Sequence, residues 1–338
     1  MKIGDYYKSL TFNFSLNLNL VKNNTFEDFQ IDELIKSHIN KKQCDRSSII
    51  SLLNYYFFQR LKESDIKLKL IIDWFENQVI DKGFNLGKNR FYPKVKSKGH
   101  MGFVTDFDGA MRLQPTRFEK KLKVLPDEIL VCGQKVKKHV SKNLNSLKLK
   151  VVPALRNQYL HNLNKNYKNK KKSKKEILIV LSADFQETLS IINILNKLEK
   201  NNYLNLFNIK IRLHRLTPKN HLFIKNNKVS FDKDSFINSI IRSDIIITGG
   251  STAALDAFIL GKQVLIVGNK NGLSKDPLKN KIPDSYYRVC YNEKEFIKCL
   301  SLLEKLSIKS NSNLIIRNKI LNGYFLKNNK KNIENFFN

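Results

Sequence analysis

The chain has 338 residues, a formal net charge of +31 and 41% hydrophobic residues, so it is long enough for two globular domains and apolar enough for sizeable cores. No stretch approaches the roughly 20 continuous apolar residues of a membrane span, and the four cysteines lack the spacing of a zinc site or a disulfide framework. The N-terminal residues contain no secretory apolar core, so the expected location is the cytoplasm.

The first half of the chain predicts strands and helices separated by long loops. Ser47–Lys62 has the pattern of a helix, and the loop Thr105–Lys123 is long enough to suggest a functional role. The other predicted elements are the strands Leu68–Ile72, Lys94–Phe103 and Glu128–Cys132 and the helices Val79–Leu86 and Gln134–Asn143.

The second half has a more regular alternation of strands and helices, which indicates a parallel, doubly wound sheet. The basic run Lys165–Lys175 has no apolar periodicity and predicts a solvated linker or loop before this half begins. The predicted strands are Ile177–Leu181, Asn208–Leu213, Ile245–Ile247 and Gln263–Val267, and the predicted helices are Gln186–Lys200, Ser235–Arg242, Glu293–Leu306 and one or two helices within Leu314–Phe337.

The most informative segment is Ser243–Val267, which has the order strand, glycine-rich turn, helix, turn and strand. Gly249 and Gly250 follow the first strand, and Ser251 or Thr252 can cap the helix. A helix N-terminus at the carboxyl end of a parallel strand presents unpaired N–H groups and partial positive charge, so this turn predicts a phosphate site. Glycines also form tight turns that bind nothing, and the Walker A and dinucleotide-binding motifs are absent, so the turn alone leaves both interpretations open.

Several segments resemble bacterial glycosyltransferases of the GT-B architecture. Leu125–Val140 resembles the segment that closes the N-terminal domain of such enzymes, and Ile209–Pro218 resembles the strand that ends in His-Pro in sialyl-, polysialyl- and Kdo-type transferases. The glycine-rich turn, with the helix and strand after it, resembles their Ser-Ser/Thr motif. Trp74–Gly87 and the later run KGHMGFV are similar to a group of bacterial surface-carbohydrate biosynthesis proteins, so that the resemblance spans about Leu68–Val267.

The resemblance implies the GT-B fold, in which two Rossmann-like α/β domains have parallel sheets that face a cleft. Residues 1–153 would form the acceptor-side domain, residues 154–175 a basic linker or loop, and residues 176–312 the nucleotide-sugar-binding domain. Residues 313–338 would form C-terminal helices that pack back on the N-terminal domain.

The resemblance also implies a donor site at the carboxyl ends of the C-terminal strands. In those transferases the histidine of His-Pro contacts the donor phosphate, so His214 would do so here, with Arg215 in place of the proline. The departing phosphate must be neutralised, and a helix N-terminus, a histidine and arginines suit that task. The expected donor-binding residues are therefore Gly249, Gly250, Ser251, Thr252, Arg212 and Arg215.

Transfer also requires that the acceptor hydroxyl lose a proton to a carboxylate or a histidine of the N-terminal domain. Glu76 follows a strand and adjoins a tryptophan, where desolvation could raise its pKa. The other candidates are His100 and two aspartates of the following loop, Asp106 and Asp108. Each could instead have a structural role, as a helix-terminus charge, a turn former or a core histidine, and His214 could simply end its strand in solvent.

The sequence indicates neither a metal nor another cofactor. The run Asp106–Asp108 spells the Asp-x-Asp pattern of metal-dependent glycosyltransferases, but it lies in the wrong half of the chain. The net charge does not indicate nucleic acid as a partner, because lysine and asparagine are abundant throughout, arginine is sparse, and no nucleic-acid-binding motif is present. The charge favours anionic substrates and weak contact with an anionic membrane surface.

The predicted function is transfer of a sugar from a nucleotide-sugar to a surface polysaccharide or glycolipid acceptor. A CMP-linked acidic sugar is one candidate donor, and the enzyme would work in the cytoplasm or on the inner face of the membrane. One alternative is a nucleotide-sugar epimerase or hydrolase on the same scaffold, because fold does not fix the reaction. Another is a non-catalytic basic protein that binds polyanions with a strong dependence on salt.

Overall fold

The computed structural model describes residues 1–41, 45–104, 113–143, 147–163, 174–200, 203–215, 229–269, 274–305 and 311–338. These residues form two compact units. The N-terminal unit contains the described parts of 1–102, 113–131 and 140–150, and the C-terminal unit contains residues 103–104, 132–139 and the described part of 151–338. The domain boundaries predicted from the sequence stay a prediction.

The first half of the chain builds a four-stranded sheet. Its elements are α1 (Ile3–Thr11), β1 (Thr25–Phe26), β2 (Phe29–Gln30), α2 (Asp32–Lys41), α3 (Arg46–Glu63), β3 (Leu70–Trp74), α4 (Val79–Phe91), β4 (Lys96–Met101), α5 (Arg117–Lys121), β5 (Glu128–Val131), α6 (Gln134–Asn143), β6 (Lys148–Val151) and α7 (Gln158–Leu163). The strand order is β3-β4-β5-β6, and the pairs β3–β4 and β4–β5 are parallel. The three strands predicted in this half are confirmed, with ends shifted by a few residues.

Helix α4 packs closely on α3 at a glycine. The Gly83 N–H donates to Ser51 Oγ at 2.9 Å, and a Cβ on Gly83 would lie only 1.8 Å from the Ser51 carbonyl oxygen. Because no side chain fits there, the two helices approach at backbone distance. The short connection from β3 to α4, which contains Glu76, is held by Asp81, whose Oδ2 accepts the Glu76 N–H at 3.1 Å and the Gln78 N–H at 2.9 Å.

The second half of the chain builds a six-stranded sheet. Its elements are β7 (Lys175–Val180), α8 (Phe185–Lys200), β8 (Phe207–Arg212), β9 (Val229–Phe231), α9 (Phe236–Arg242), β10 (Ile245–Thr248), α10 (Ala253–Ile259), β11 (Gln263–Val267), β12 (Tyr287–Cys290), α11 (Glu293–Lys305), α12 (Asn311–Tyr324) and α13 (Lys330–Ile333). The strand order is β12-β11-β10-β7-β8-β9, and every pair is parallel. The doubly wound parallel sheet predicted from the sequence is confirmed.

The central strands of this sheet are buried on both faces. Every residue of β10 and β11 is buried, as is usual where helices cover both faces of a parallel sheet. Ile191, Leu195 and Leu198 of α8 pack into the core on one of these faces. The sequence of β11 is almost continuously apolar. Because such a run is typical of a buried parallel strand, the predicted limits of β11 agree with the observed ones.

The sheet reverses its winding at β7. Strands β8 and β9 lie on one side of β7, and β10, β11 and β12 lie on the other. At such a reversal the connections leave the carboxyl ends of neighbouring strands in opposite directions, and a crevice opens between them. The turns after β7 and β10 border this crevice, so the topology places the glycine-rich turn at the position where doubly wound sheets bind ligands.

Some elements differ from the prediction. The short strands β6, β9 and β12 were not predicted, because each has three or four residues and includes polar ones. The described part of the loop Thr105–Lys123 contains α5, which is capped by reciprocal hydrogen bonds between Thr116 and Glu119. Of the basic run Lys165–Lys175, only Lys174 and Lys175 are described, and Lys175 begins β7. Among the described residues, no helix is long and apolar enough to cross a membrane.

Candidate functional site

The glycine-rich turn joins β10 directly to α10. Ser251 caps the helix, since its hydroxyl accepts the Ala253 N–H at 3.3 Å and its carbonyl accepts the Ala254 N–H at 3.1 Å. Thr252 begins the helical conformation and makes no capping bond with its side chain. Gly250, Ser251 and Thr252 are partly exposed, so the turn is accessible to a ligand.

A buried carboxylate from α8 binds the turn. Glu187 is only 2% exposed, and its Oε2 accepts the Gly250 N–H at 2.9 Å and the Ser182 hydroxyl at 2.7 Å. A Cβ on Gly249 would lie 2.7 Å from the same oxygen, so glycine is needed for this close approach. The Gly250 amide, one of the groups expected to bind phosphate, therefore already has an anionic partner within the protein.

Lys275 lies over the same turn. Its Nζ is 2.8 Å from Asp184 Oδ2 and 3.8 Å from Glu187 Oε1, and its Cβ would be 2.5 Å from a Cβ on Gly250. The hydrogen bond from Lys275 lowers the pKa of Asp184, so this carboxyl is ionised at neutral pH. One ammonium thus stands between two carboxylates at the carboxyl ends of β7 and β10. No local pattern indicated this cation, because Lys275 follows Thr252 by 23 residues.

The residues predicted at the end of β8 have different environments. Arg212 donates to Asp232 Oδ2 at 2.6 Å and to the Asp234 carbonyl at 2.7 Å, and its guanidinium lies 5.6 Å from the centre of the Phe236 ring. It therefore links β8 to the segment before α9. His214 is partly buried, and burial, followed by the charge of Arg215, lowers its pKa, so its imidazole is neutral at pH 7.

The strands also set the spacing within the predicted donor site. Strand β7 lies between β8 and β10. The carboxyl ends of β8 and β10 are therefore two strand spacings apart, roughly 10 Å. His214 and Arg215 follow one of these ends, and the glycine-rich turn follows the other.

In the N-terminal unit, two of the four predicted bases belong to one cluster. Glu76 accepts the Trp74 indole N–H at 2.7 Å and the Gln78 amide at 2.6 Å. The Trp74 ring meets the His100 ring edge-on at 5.4 Å between centroids. Burial lowers the pKa of His100 to about 4, so this imidazole is also neutral at pH 7. Asp106 and Asp108 lie outside the described residues.

Asp73 is a candidate that the sequence did not indicate. It is the fourth residue of β3, and its Oδ1 is inaccessible and accepts no hydrogen bond from the described residues. Burial, followed by the charge of Asp81, raises its pKa to about 7. A carboxyl group that titrates near neutral pH can gain or lose a proton there. The signal in the sequence was an ionisable residue inside an otherwise apolar strand, just ahead of Glu76.

No protein-family model matches the sequence, and no curated protein matches it. Solved structures do match it. The UDP complex of MnaA from S. aureus has a TM-score of 0.55 at 14% identity, over 95% of this chain and 89% of that one. UDP-GlcNAc 2-epimerase from Neisseria meningitidis bound to UDP-GlcNAc has a TM-score of 0.54 at 16% identity, over 95% and 85% of the two chains. The enzyme from Methanocaldococcus jannaschii, in complex with UDP-GlcNAc and UDP, has a TM-score of 0.50 at 12% identity, over 81% and 80%.

The chain has the GT-B fold. The fold class predicted from the sequence, two Rossmann-like α/β units with parallel sheets, is therefore confirmed. At such low identity the likeness shows a shared fold and does not transfer an activity. The narrower resemblance to sialyl- and Kdo-type transferases stays an interpretation of the short motifs.

Helix α10, which follows the glycine-rich turn, contains a buried carboxylate. Asp256 in α10 accepts the Tyr159 hydroxyl at 2.7 Å and the Asn157 amide at 3.4 Å. Burial raises the pKa of Asp256 to about 6, well above the ordinary value of an aspartate. This side chain ties α10 to the segment that contains α7.

Replacing this carboxylate should change how stability depends on pH. Asp256 binds its proton more tightly in the folded state, so it makes the wild type less stable as pH rises from about 4 through 6. Asp256→Asn keeps an acceptor for Tyr159 and removes this titration. We expect the free energy of unfolding of the variant, relative to the wild type, to improve by about 2 kcal/mol between pH 4.5 and 7.5. Urea denaturation of both proteins at the two pH values measures the free energies of unfolding. The prediction would be contradicted if the difference between variant and wild type were the same at both pH values.

Proposed function

We propose that this chain is a glycosyltransferase that binds the phosphate of a nucleotide-sugar at the Gly249–Thr252 turn. The observation that carries the proposal is the position of this accessible turn at the carboxyl end of β10, beside the reversal of the sheet. Proteins with the same fold have been solved with UDP or UDP-GlcNAc bound, which supports a nucleotide-sugar as the ligand.

Departure of the nucleotide requires hydrogen-bond donors or positive charge at the phosphate. At the turn these are the hydroxyls of Ser251 and Thr252 and the ammonium of Lys275. The Gly250 amide contributes only if phosphate displaces Glu187 from it. We therefore propose the two hydroxyls and Lys275 as the principal donors, with His214 and Arg215 at the neighbouring strand end and Arg212 holding the adjacent segment in place.

We propose that the acceptor hydroxyl is deprotonated by a residue of the N-terminal unit. Glu76 and His100 are proposed because they flank the same tryptophan, and Asp106 and Asp108 because they follow β4 in the sequence. To these we add Asp73, because it lies at the carboxyl end of β3, three residues before Glu76, and a carboxyl with a pKa of about 7 suits a general base at neutral pH.

The proposed donor and acceptor follow from the sequence resemblance. A CMP-linked acidic sugar is one donor class, and the UDP complexes of proteins with this fold make a UDP-sugar the other. The proposed acceptor is a glycan or a glycolipid. We further propose that residues 176–312 bind the donor and residues 1–153 bind the acceptor.

A second candidate function is epimerisation of a nucleotide-sugar. The observation that favours it is the match to UDP-GlcNAc 2-epimerase of N. meningitidis, which covers 95% of this chain. An epimerase converts its free donor without an acceptor, whereas a transferase needs an acceptor to release nucleotide efficiently.

Both proposals require that the chain bind a nucleotide. Ligand-detected NMR of CMP, UDP and GDP with the full chain tests this requirement. We expect saturable binding of one nucleotide, whose base then narrows the choice of sugar donors. Incubation of the corresponding nucleotide-sugars, with and without a glycolipid fraction, separates the two activities. Acceptor-dependent release of nucleotide supports the transferase, and interconversion of the free donor supports the epimerase.

A third outcome would contradict both enzymatic proposals. Salt-sensitive binding to many polyanions, with no saturable nucleotide site, would contradict both enzymatic proposals and favour the polyanion-binding protein. Heparin and polyphosphate, measured at low and high salt, serve as the polymers for this comparison.

A further inference from the structure

Helix α1 exposes its apolar side and buries polar residues. Asp5 and Ser9 are buried against the rest of the N-terminal unit. Ile3, Tyr7 and Leu10, spaced by four and three residues, lie on the other side and are 90%, 68% and 51% exposed. A surface helix ordinarily has the reverse arrangement, with its apolar stripe toward the core.

Specific contacts hold α1 in this orientation. The carboxylate of Asp5 accepts the Arg60 Nε–H of α3 at 2.9 Å and forms a second bond with a terminal nitrogen of the same guanidinium. The Ser9 hydroxyl donates to the Asp5 carbonyl at 2.7 Å. The buried ion pair fixes which side of α1 faces the protein, so the exposed apolar side follows from the packing.

The segment after the helix also exposes large apolar side chains. Phe14 is 62% exposed in the 3₁₀ turn after α1, and Leu16 and Leu20 are exposed in the next segment. We call Ile3, Tyr7, Leu10, Phe14, Leu16 and Leu20 the N-terminal apolar surface. Large apolar side chains exposed together in one segment mark a site of interaction with a protein or a membrane.

The charge of the chain distinguishes between these partners. Residues 1–22 contain three lysines, Lys2, Lys8 and Lys22, and a single acidic residue, Asp5, which is buried and paired with Arg60. Lys2 also contacts Glu63 of α3 at 3.4 Å. A second copy of a chain with net charge +31 would be repelled by the first, whereas an anionic bilayer attracts it.

We propose that the N-terminal apolar surface docks this protein on the surface of an anionic membrane. In this arrangement Tyr7, Leu10 and Phe14 insert among the lipid headgroups and upper acyl chains, and the exposed Lys8 and Lys22 pair with anionic headgroups. Aromatic and aliphatic side chains on one side of a short helix, with lysines beside them, are the pattern of an interfacial helix. This inference concerns a surface of α1 and does not depend on the proposed reaction.

Vesicle flotation of the full chain tests the inference. The variant is Tyr7→Ser with Leu10→Ser, and the matched control is Leu206→Ser with Ile315→Ser, which removes two exposed apolar side chains from the C-terminal unit. With vesicles of phosphatidylcholine and phosphatidylglycerol, we expect the variant to bind at least about tenfold more weakly than the wild type. We expect the control to remain within about twofold of the wild type, and pure phosphatidylcholine vesicles to bind less of every protein.

Three results would overturn the proposal. The first is equal binding by the wild type and the Tyr7/Leu10 variant, and the second is binding that does not depend on phosphatidylglycerol. The third is a dimer of the wild type, measured by light scattering, that the variant converts to a monomer, since a second copy would then cover the surface. Circular dichroism and thermal melting establish that both variants are folded.

Discussion

Replacement of both hydroxyl residues of the turn, Ser251→Ala with Thr252→Ala, is expected to weaken nucleotide binding by roughly 100-fold. A hydrogen bond to a charged phosphate contributes about 1.5 to 3 kcal/mol, and 1.4 kcal/mol corresponds to a tenfold change in affinity. Two such bonds therefore account for the expected loss. Isothermal titration with the nucleotide that the wild type binds measures it directly.

The control for this variant is Ser190→Ala on α8, where the hydroxyl donates to the Gln186 carbonyl of its own helix. We expect this change to leave nucleotide affinity within about twofold of the wild type. Because Ser251 also caps α10, the double variant should lose about 1 kcal/mol of stability, which thermal melting can quantify. Unchanged affinity in a folded double variant would reject the proposed phosphate site.

Lys275→Met and Glu187→Gln are expected to change nucleotide affinity in opposite directions. Lys275→Met removes the ammonium over the turn. We expect nucleotide affinity to fall by roughly 30-fold, which is the effect of losing one charge-assisted hydrogen bond. Glu187→Gln removes a negative charge beside the proposed phosphate and keeps an oxygen that can accept from Gly250 and Ser182. Coulomb repulsion at about 5 Å in an effective dielectric of about 20 is near 3 kcal/mol, so even partial relief should tighten binding by about tenfold.

Lys298→Met is the matched control, because this exposed lysine of α11 does not line the cavity that Lys275 borders, and its loss changes the net charge equally. We expect it to alter nucleotide affinity by less than about twofold. If Lys275→Met behaved like Lys298→Met, the lysine over the turn would have no part in ligand binding. A shift in the same direction for Lys275→Met and Glu187→Gln would contradict the electrostatic account of the turn.

Local pattern was enough to predict the segment from β10 to β11. A short β-branched run, two glycines, hydroxyl residues and a second apolar run each act over a few residues, and the hydrogen bonds that cap α10 are made within the same turn. The parallel sheet followed for the same reason, because regular alternation of strands and helices admits few other topologies. The short strands β6 and β12 could not be predicted in this way, since their apolar residues are too few to form a pattern.

The partners of the turn could not be predicted, because they come from distant parts of the chain. Glu187 precedes Gly250 by 63 residues, and Lys275 follows Asp184 by 91. Only the winding of the sheet around β7 brings these groups to one edge. Asp73 and Asp256 were missed for a related reason, since burial sets their pKa values and the sequence does not state which ionisable residues will be desolvated.

The sequence by itself determined the α/β class, the glycine-rich turn and the clustering of a tryptophan with Glu76, because these depend on neighbours along the chain. The tertiary structure alone decided that the Gly250 amide binds Glu187, that Lys275 lies over the turn and that α1 exposes its apolar side. Each of these three features depends on contacts between residues that are far apart in the sequence. The Asp5–Arg60 ion pair, which orients α1, is one such contact.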